Sequence, residues 1–255
     1  MGNMTQQHPG ARLLPGERID DLQRGGLRII QREDGFRFGT DAVLLADFAS
    51  PRRGERVADM GTGTGVLPLL LSARAEDTTF DAFEIQPDVA DMAARSVALN
   101  GLCARIRVHA ADCREASKII GAECVQLCVT NPPYTRQGAG LVSPQKTRAL
   151  SRSDGEGCTL GAWMNACARV LQNGGRLCVV FPSPRLLELC DAMREAHVEP
   201  KRVRMVASGM DRPPRLVLLE GRKRGRPGLH ILPPLITHEA DGGFSAEMRR
   251  IYGEP

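Results

Sequence analysis

The chain lacks any apolar run long enough to cross a membrane, since nothing in its 255 residues approaches ~18 consecutive apolar side chains. Its N-terminal segment has no apolar h-region, so we expect no secretory signal. The myristoylation pattern is also missing, because Gln6 stands where serine or threonine is required. From these absences we expect a cytoplasmic protein with no membrane partner.

Paired cysteines are missing too. The eight cysteines are scattered without a CxxC pair, and most stand beside apolar residues, as small buried side chains do. This distribution predicts a reduced protein with neither disulfides nor a bound metal. The net charge of +4 and the pI near 8.7 permit a nucleic-acid partner without requiring one.

The length and the 42% hydrophobic content predict one domain with a single sizeable core. Residues 1–18 are polar and contain glycine and proline, so we expect a disordered tail. The single domain is expected to span residues 19–255, with a lid at 19–50, a core at 51–223 and a C-terminal extension at 224–255.

The lid is predicted from turn and capping signals. Residues 27–31 and 36–38 flank an Asp-Gly turn, which favours a β-hairpin. Thr40 or Asp41 is placed to cap the helix that follows. The lid either covers only a sheet edge or also reaches a bound ligand through the turn at 38–41.

Strands and helices alternate through the core with short connections. We predict strands at 56–60, 80–85, 105–109, 124–129 and 176–181, helices at 66–75, 87–99, 159–171 and 184–196, and a closing antiparallel pair at 203–207 and 215–220. Asn100-Gly101 and the run at 173–175 are expected to terminate helices. This alternation predicts an α/β fold with a doubly wound, Rossmann-like sheet that is mostly parallel.

A glycine loop follows the first core strand. Gly61, Gly63 and Gly65 lie where open α/β sheets bind ligands, and glycine lets the backbone approach a ligand closely. The loop is not the dinucleotide fingerprint GxGxxG, because position 66 is valine. It is not a P-loop either, since no lysine follows.

A second motif, NPPY at residues 131–134, follows a predicted buried strand. Pro132 and Pro133 cannot continue a sheet ladder or open an ordinary helix, so the backbone there is stiff and extended. The turn presents the Asn131 amide, a proline carbonyl and the Tyr134 ring to one small volume. It is either a rigid corner of the fold or a holder for a planar base whose amino group reacts.

With the glycine loop upstream, NPPY resembles the class I amino-methyltransferases that use S-adenosylmethionine (SAM). More narrowly, the chain resembles the bacterial tRNA1(Val) adenine-37 N6-methyltransferases over nearly everything after residue 17. The shared stretches are FGTD at 38–41, DMGTGTG at 59–65, FEIQPD at 83–88, NPPY, and GGFSAEMRRIY at 242–252. Other members often carry Arg-His-Glu where this chain has residues 152–154, Arg-Ser-Asp. The resemblance implies SAM as cofactor and RNA, specifically tRNA, as partner.

Acidic residues at strand ends fit such a cofactor. Glu84 can accept hydrogen bonds from both ribose hydroxyls, Asp112 can accept from the adenine amino group, and Asp59 can hold the methionine ammonium directly or through water. Glu84 alone would also suit a dinucleotide dehydrogenase. The full set of expected cofactor-binding residues is Thr40, Asp59, Gly61, Thr62, Gly63, Gly65, Glu84, Ile85, Asp112, Cys113 and Asn131.

Catalysis is expected from Asn131, Pro132, Pro133 and Tyr134. The exocyclic amine of adenine is a poor nucleophile because its lone pair is shared with the ring. The Asn131 oxygen and the Pro132 carbonyl would accept hydrogen bonds from its two N–H groups. This favours a tetrahedral nitrogen whose lone pair is directed at the methyl group. Tyr134 would stack on the flipped base. No covalent nucleophile or dedicated base is needed.

Basic residues are expected to hold the RNA. Four of them lie in the loop after NPPY, close to the reacting base: Arg136, Lys146, Arg148 and Arg152. Denser basic groups stand at 222–226 and 201–204, but a solvated turn explains the former equally well. We therefore favour the loop as the element that grips the substrate.

Three other functions stay open. Release-factor glutamine methyltransferases also use NPPY, but they usually carry an N-terminal helical domain, and only about 55 residues precede the first core strand here. A DNA adenine methyltransferase would usually add a target-recognition domain. A catalytically idle SAM-fold module could bind RNA or a protein partner, but it would be free to lose Asn131 or the glycines. The oligomeric state is left open.

Overall fold

The computed structural model describes residues 12–34, 39–133 and 159–253. The strands in these ranges are β1 (Glu17–Asp21), β2 (Arg28–Arg32), β3 (Arg56–Met60), β4 (Thr79–Glu84), β5 (Ile106–Ala110), β6 (Val125–Thr130), β7 (Leu171–Pro182), β8 (Val198–Ala207), β9 (Leu216–Lys223), β10 (His230–Ile231) and β11 (Leu235–Ile236). The helices are α1 (Thr40–Ala49), α2 (Val66–Ser72), α3 (Pro87–Leu99), α4 (Ala116–Ile120), α5 (Leu160–Val170), α6 (Leu186–Glu195) and α7 (Ala246–Tyr252).

The central sheet has the order β10-β8-β9-β7-β6-β3-β4-β5, and β11 also pairs with β8. The run from β7 to β5 is parallel, whereas β9 is antiparallel to both β7 and β8. The predicted doubly wound, mostly parallel sheet with a closing antiparallel pair is therefore confirmed. The strand order reverses at β3, which lies between β4 and β6, and open α/β sheets bind ligands beyond the carboxyl ends at such a point.

Two apolar layers cover the sheet. Residues of α1, α2 and α7 pack on one face, and residues of α5 and α6 pack on the other. In α3 the buried side chains recur at Ala90, Ala93 and Val97, the spacing of one helical face. That helix has Pro87 in its first turn and ends before Gly101, whose φ of +68° suits a helix end. The predicted bounds of α3 are confirmed.

The N-terminal hairpin differs from the prediction. β2 forms close to the predicted strand at 27–31, but its antiparallel partner is β1, and the proposed partner at 36–38 lies outside the described residues. β1 begins at Glu17, within the stretch expected to be disordered. Gly25 and Gly26 have positive φ values and permit the turn between the strands.

Two capping predictions were wrong. Gly39 is the N-cap of α1, no side chain caps this helix, and Thr40 is its first residue. The glycines at 174 and 175 do not end a helix, because α5 already stops at Val170. Residues 172–175 instead form a bulge within β7, where the register with β6 shifts. A Cβ on Gly175 would lie 2.9 Å from the Gln172 carbonyl oxygen, so a larger residue would not fit this bulge.

Candidate functional site

The glycine loop leaves β3 and is fixed onto the neighbouring strand. The backbone N–H groups of Gly61 and Thr62 both donate to the Phe83 carbonyl, at 3.0 and 2.8 Å. Gly61, Gly63 and Gly65 have φ values of +79°, +57° and +89°, which favour glycine. A Cβ on Gly63 would meet nothing within 4 Å, so that position faces open space.

Glu84 ends β4 and is only 7% exposed. One carboxylate oxygen accepts from the Gly63 N–H at 3.0 Å, and the other accepts from the Gln86 N–H at 2.9 Å. Burial raises the pKa of Glu84, although these backbone donors oppose the rise. Each oxygen keeps acceptor capacity, so the carboxylate is oriented and can still receive hydroxyl donors.

Asp59 is fully buried near the end of β3. Neither of its carboxylate oxygens has a hydrogen-bond partner among the described residues, and the same is true of the Thr62 hydroxyl oxygen. Burial, with the nearby charge of Glu84, raises the pKa of Asp59 to about 7. The adjacent Thr62 hydroxyl moderates this rise in pKa, although it does not reach hydrogen-bond geometry. An unpaired buried carboxylate is costly, so a cationic ligand is its natural complement.

Asp112 already has hydrogen-bond partners within the chain, which the sequence did not indicate. It caps the short 3-10 helix Cys113–Glu115, and its two oxygens accept from the backbone and guanidinium of Arg114. Burial alone would raise the pKa of Asp112, but these hydrogen bonds outweigh burial and lower it. Cys113 is buried, whereas Ile85 is 43% exposed beside Glu84 and offers apolar surface to a flat ring.

The start of the NPPY turn lies beside the glycine loop. Thr130 and Met60 are register partners at the ends of the adjacent strands β6 and β3, so Asn131 and Gly61 follow side by side. Neighbouring strands are about 4.8 Å apart, which brings the two loops within the span of one small ligand. Tyr134, Arg136, Lys146, Arg148 and Arg152 lie outside the described residues.

Trp163 joins these two loops, although no motif in the sequence indicated this role. Its indole Nε1 donates to the Thr130 hydroxyl at 2.9 Å, and that hydroxyl donates to the Met60 carbonyl at 2.7 Å. A Cβ on Gly61 would lie only 3.0 Å from the indole ring, so the ring lies directly against the glycine loop. Trp163 is the only tryptophan of the chain and stands in the first turn of the helix after NPPY. A lone tryptophan at the start of that helix was the signal in the sequence that could have indicated this contact.

The sequence is similar to those of known methyltransferases. The methyltransferase small domain family matches residues 33–150. The tRNA1(Val) (adenine(37)-N6)-methyltransferase of Tolumonas auensis is 32% identical over 235 residues, which cover 89% of this chain and 92% of that protein. The protein of the same name from Cronobacter sakazakii is 34% identical, and that alignment covers 56% of this chain and 58% of that protein.

A solved structure shares the fold. The crystal structure of a predicted O-methyltransferase from Agrobacterium tumefaciens superposes with a TM-score of 0.68 at 23% identity, covering 84% of this chain and 95% of that chain. Together with the match along nearly the whole Tolumonas protein, the glycine loop beside the NPPY turn leads to one conclusion. This chain belongs to the tRNA1(Val) (adenine(37)-N6)-methyltransferase family of SAM-dependent enzymes.

Proposed function

We propose that the protein methylates the exocyclic amine of an adenine in tRNA, an activity that belongs in the cytoplasm. The names of its relatives support this substrate. The observation that carries the proposal is the register pairing of Met60 with Thr130, because it sets the glycine loop and Asn131 side by side. A cofactor and an acceptor amine can then meet at one point of the sheet edge.

The residues at this edge fit SAM. The unpaired oxygens of Asp59 would hold the methionine ammonium, and the oriented carboxylate of Glu84 would accept from the ribose hydroxyls. Ile85 would cover the adenine ring, while Asp112 has less acceptor capacity left because Arg114 occupies both of its oxygens. When bound, SAM supplies an electrophilic methyl group on a positively charged sulfur.

Other expected cofactor contacts complete the pocket. Thr40 begins α1 beside the described part of the lid, and Thr62 carries an unpaired buried hydroxyl that can serve a polar ligand group. Gly63 leaves open space for close approach of the backbone. Cys113 is buried and would contribute packing and its backbone N–H.

Asn131 and Pro132 would act on the acceptor. Their oxygens would accept hydrogen bonds from the two N–H groups of the amine and hold the nitrogen with its lone pair directed at the methyl group. Pro133 would keep the turn stiff, and Tyr134 would stack on the base. Arg136, Lys146, Arg148 and Arg152 would contact RNA phosphates.

Methylation with tritiated SAM tests this proposal. Purified protein would be incubated with unmodified tRNA, with DNA and with bacterial release factors, and the labelled product would be digested and identified. We expect N6-methyladenosine in tRNA. Label in a release-factor glutamine or in DNA adenine would replace the proposed substrate, and no label in any acceptor would contradict catalysis. An Asn131→Ala variant run in parallel controls for contaminating enzymes.

A further inference from the structure

Three aromatic rings lie next to one another in the C-terminal extension. The ring of Phe244 stacks on that of Tyr252, with centroids 5.3 Å apart and an interplanar angle of 13°, and the His238 ring lies 5.3 Å from Phe244 and is tilted by 47° against it. All three side chains are partly exposed, and a β-bridge pairs His238 with Phe244. We call His238, Phe244 and Tyr252 the aromatic ladder. The proposed chemistry does not use it.

The turn at residues 208–215, which we call the basic turn, connects β8 to β9 and contains two arginines and one aspartate, Asp211. Arg212 and Arg215 are exposed, and neither side chain forms an ion pair with any residue in the described ranges. Arginines within β8 differ, because Arg202 and Arg204 pair with carboxylates. Met210 is 81% exposed and adds apolar surface to the turn.

The ladder and the basic turn are neighbours. The His238 N–H donates to the carbonyl of Ser208 at 3.2 Å, at the start of the turn. The turn itself is held in place, because Ser183 donates its hydroxyl to the Pro214 carbonyl and its N–H to the Arg215 carbonyl. The two features therefore form one surface of defined shape.

This surface lies at the same edge of the sheet as Asn131. β8 is antiparallel to β9, and β9 is antiparallel to β7, so β8 ends at the carboxyl edge with β6 and β7. β11 runs parallel to β8 and ends there too, two residues before His238. The path β6-β7-β9-β8-β11 contains four strand spacings, or about 19 Å. One RNA molecule can span that distance.

We propose that the aromatic ladder and the basic turn form a binding surface for unpaired nucleotides of the RNA substrate, a step that rests on the proposed function. Aromatic faces bind bases by stacking, and unpaired arginines bind phosphates. Proteins that bind single-stranded nucleic acid commonly combine the two elements. The C-terminal extension thereby acquires a role in holding substrate.

Fluorescence anisotropy with labelled tRNA at several salt concentrations tests this proposal. The first variant is Arg212→Ala with Arg215→Ala, and the second is Phe244→Leu, which keeps apolar packing but removes a ring. The control is Arg222→Ala with Arg224→Ala, two exposed arginines at or just beyond the end of β9, at the opposite edge of the sheet. The control also removes two positive charges, but from the edge of the sheet opposite the proposed surface.

We expect the double arginine variant to bind tRNA more weakly, with the slope of log affinity against log salt reduced by roughly one per arginine. Phe244→Leu should weaken binding about fivefold or more without changing that slope, since stacking is not ionic. The control should bind like the wild type, and all variants should keep wild-type SAM affinity. The arginines are exposed, so their variant tests the proposal even if Phe244→Leu fails to fold.

Two failures are distinguishable. A wild-type protein that methylates no RNA would end the proposed function and this inference with it. A wild type that methylates tRNA, with ladder and turn variants that bind tRNA unchanged, would overturn the inference alone and leave the surface to a protein partner. Equal losses in the variant and in the control would also overturn it, because total charge would then explain the effect.

Discussion

Buried charged side chains at the two edges of the sheet differ in the partners that they have. At the carboxyl edge, Asp59 is fully buried and its oxygens have no partner in the described part of the chain. Near the amino edge, Arg176 is 6% exposed and donates to Glu55 at 2.8 Å and to the Ala49 carbonyl at 2.9 Å. Glu220, equally buried, lies 3.1 Å from Arg202 and 3.8 Å from Arg176.

This difference distinguishes buried charges that stabilise the fold from a buried charge that a ligand would complement. A buried charge with partners within the chain fixes elements to one another, and the Arg176 network joins α1, the start of β3 and β9. A buried charge without partners lowers stability until a ligand supplies them. The Asp59 carboxylate is therefore interpreted as a group kept for the ligand.

The largest expected effect is the pH dependence at Asp59. Its folded-state pKa of about 7 lies above the ordinary value, so ionisation between pH 4 and pH 7 should destabilise the free protein by up to about 4 kcal/mol as pH rises. Asp59→Asn removes most of this slope and should be more stable than the wild type at pH 8. Glu84, whose pKa is also raised, should leave a smaller slope.

Denaturant unfolding from pH 4 to pH 8 measures this slope, and calorimetry measures SAM binding alongside it. SAM affinity should rise with pH in the wild type, because the ammonium needs the ionised carboxylate, but not in Asp59→Asn. Asp77→Asn removes an exposed carboxylate and serves as the control. A difference in stability between Asp59→Asn and the wild type that is constant across pH would contradict the raised pKa.

Breaking the paired network should have the next largest effect. Arg176→Met leaves Glu55 and Glu220 buried with fewer partners and should lower the free energy of unfolding by about 3 kcal/mol. Arg222 is the register partner of Arg176 on β9 but is exposed, so Arg222→Met should change stability by less than about 0.5 kcal/mol. Urea unfolding compares the two, and similar values would mean that the buried network has no special role.

Removing the oriented carboxylate should weaken cofactor binding. Glu84→Ala should reduce SAM affinity by roughly 1.5–3 kcal/mol, since two hydrogen bonds to a charged group are lost. Asp112→Ala should cost less, because Arg114 already occupies that carboxylate. Isothermal calorimetry of both variants ranks them. Unchanged affinity in Glu84→Ala would remove Glu84 from the ribose site.

The smallest effect is expected at Trp163. Trp163→Phe keeps a ring against Gly61 but loses the hydrogen bond to Thr130, worth about 1 kcal/mol. If this bond positions the two loops, the single-turnover rate should fall about fivefold at saturating SAM while SAM affinity hardly changes. Thr130→Val should lower the rate at least as much, since it also removes the hydrogen bond to the Met60 carbonyl, and the double variant should be no worse than Thr130→Val. Lower stability with an unchanged rate would make the contact merely structural.

Local signals in the sequence predicted much of the fold. β3 and α3 have their predicted bounds because apolar pattern, Pro87 and Asn100-Gly101 act over a few residues. The partner of β2 could not be chosen locally, since Ser96 and Asn100 of α3 hold that hairpin from a distant part of the chain. The C-terminal elements β10, β11 and α7 were likewise missed, because short strands on β8 carry little periodicity of their own.

Local signals in the sequence also predicted part of the site. Asp59, the glycines and Glu84 stand at strand ends, and topology places strand ends together. Trp163 lies about 100 residues beyond Gly61, so only the folded chain reveals their contact. The engagement of Asp112 by Arg114 is local and was overlooked, although arginine two residues after a capping aspartate is a readable signal.

The central claim is that the turn beginning at Asn131 performs chemistry rather than forming a corner. Single-turnover methylation of tRNA at saturating SAM tests it with Asn131→Ala, which removes one acceptor for the amine hydrogens and leaves the cofactor pocket intact. We expect a rate lowered by ~10²-fold or more, with SAM affinity nearly constant. An Asn131→Ala protein that methylates adenine at the wild-type rate would contradict it.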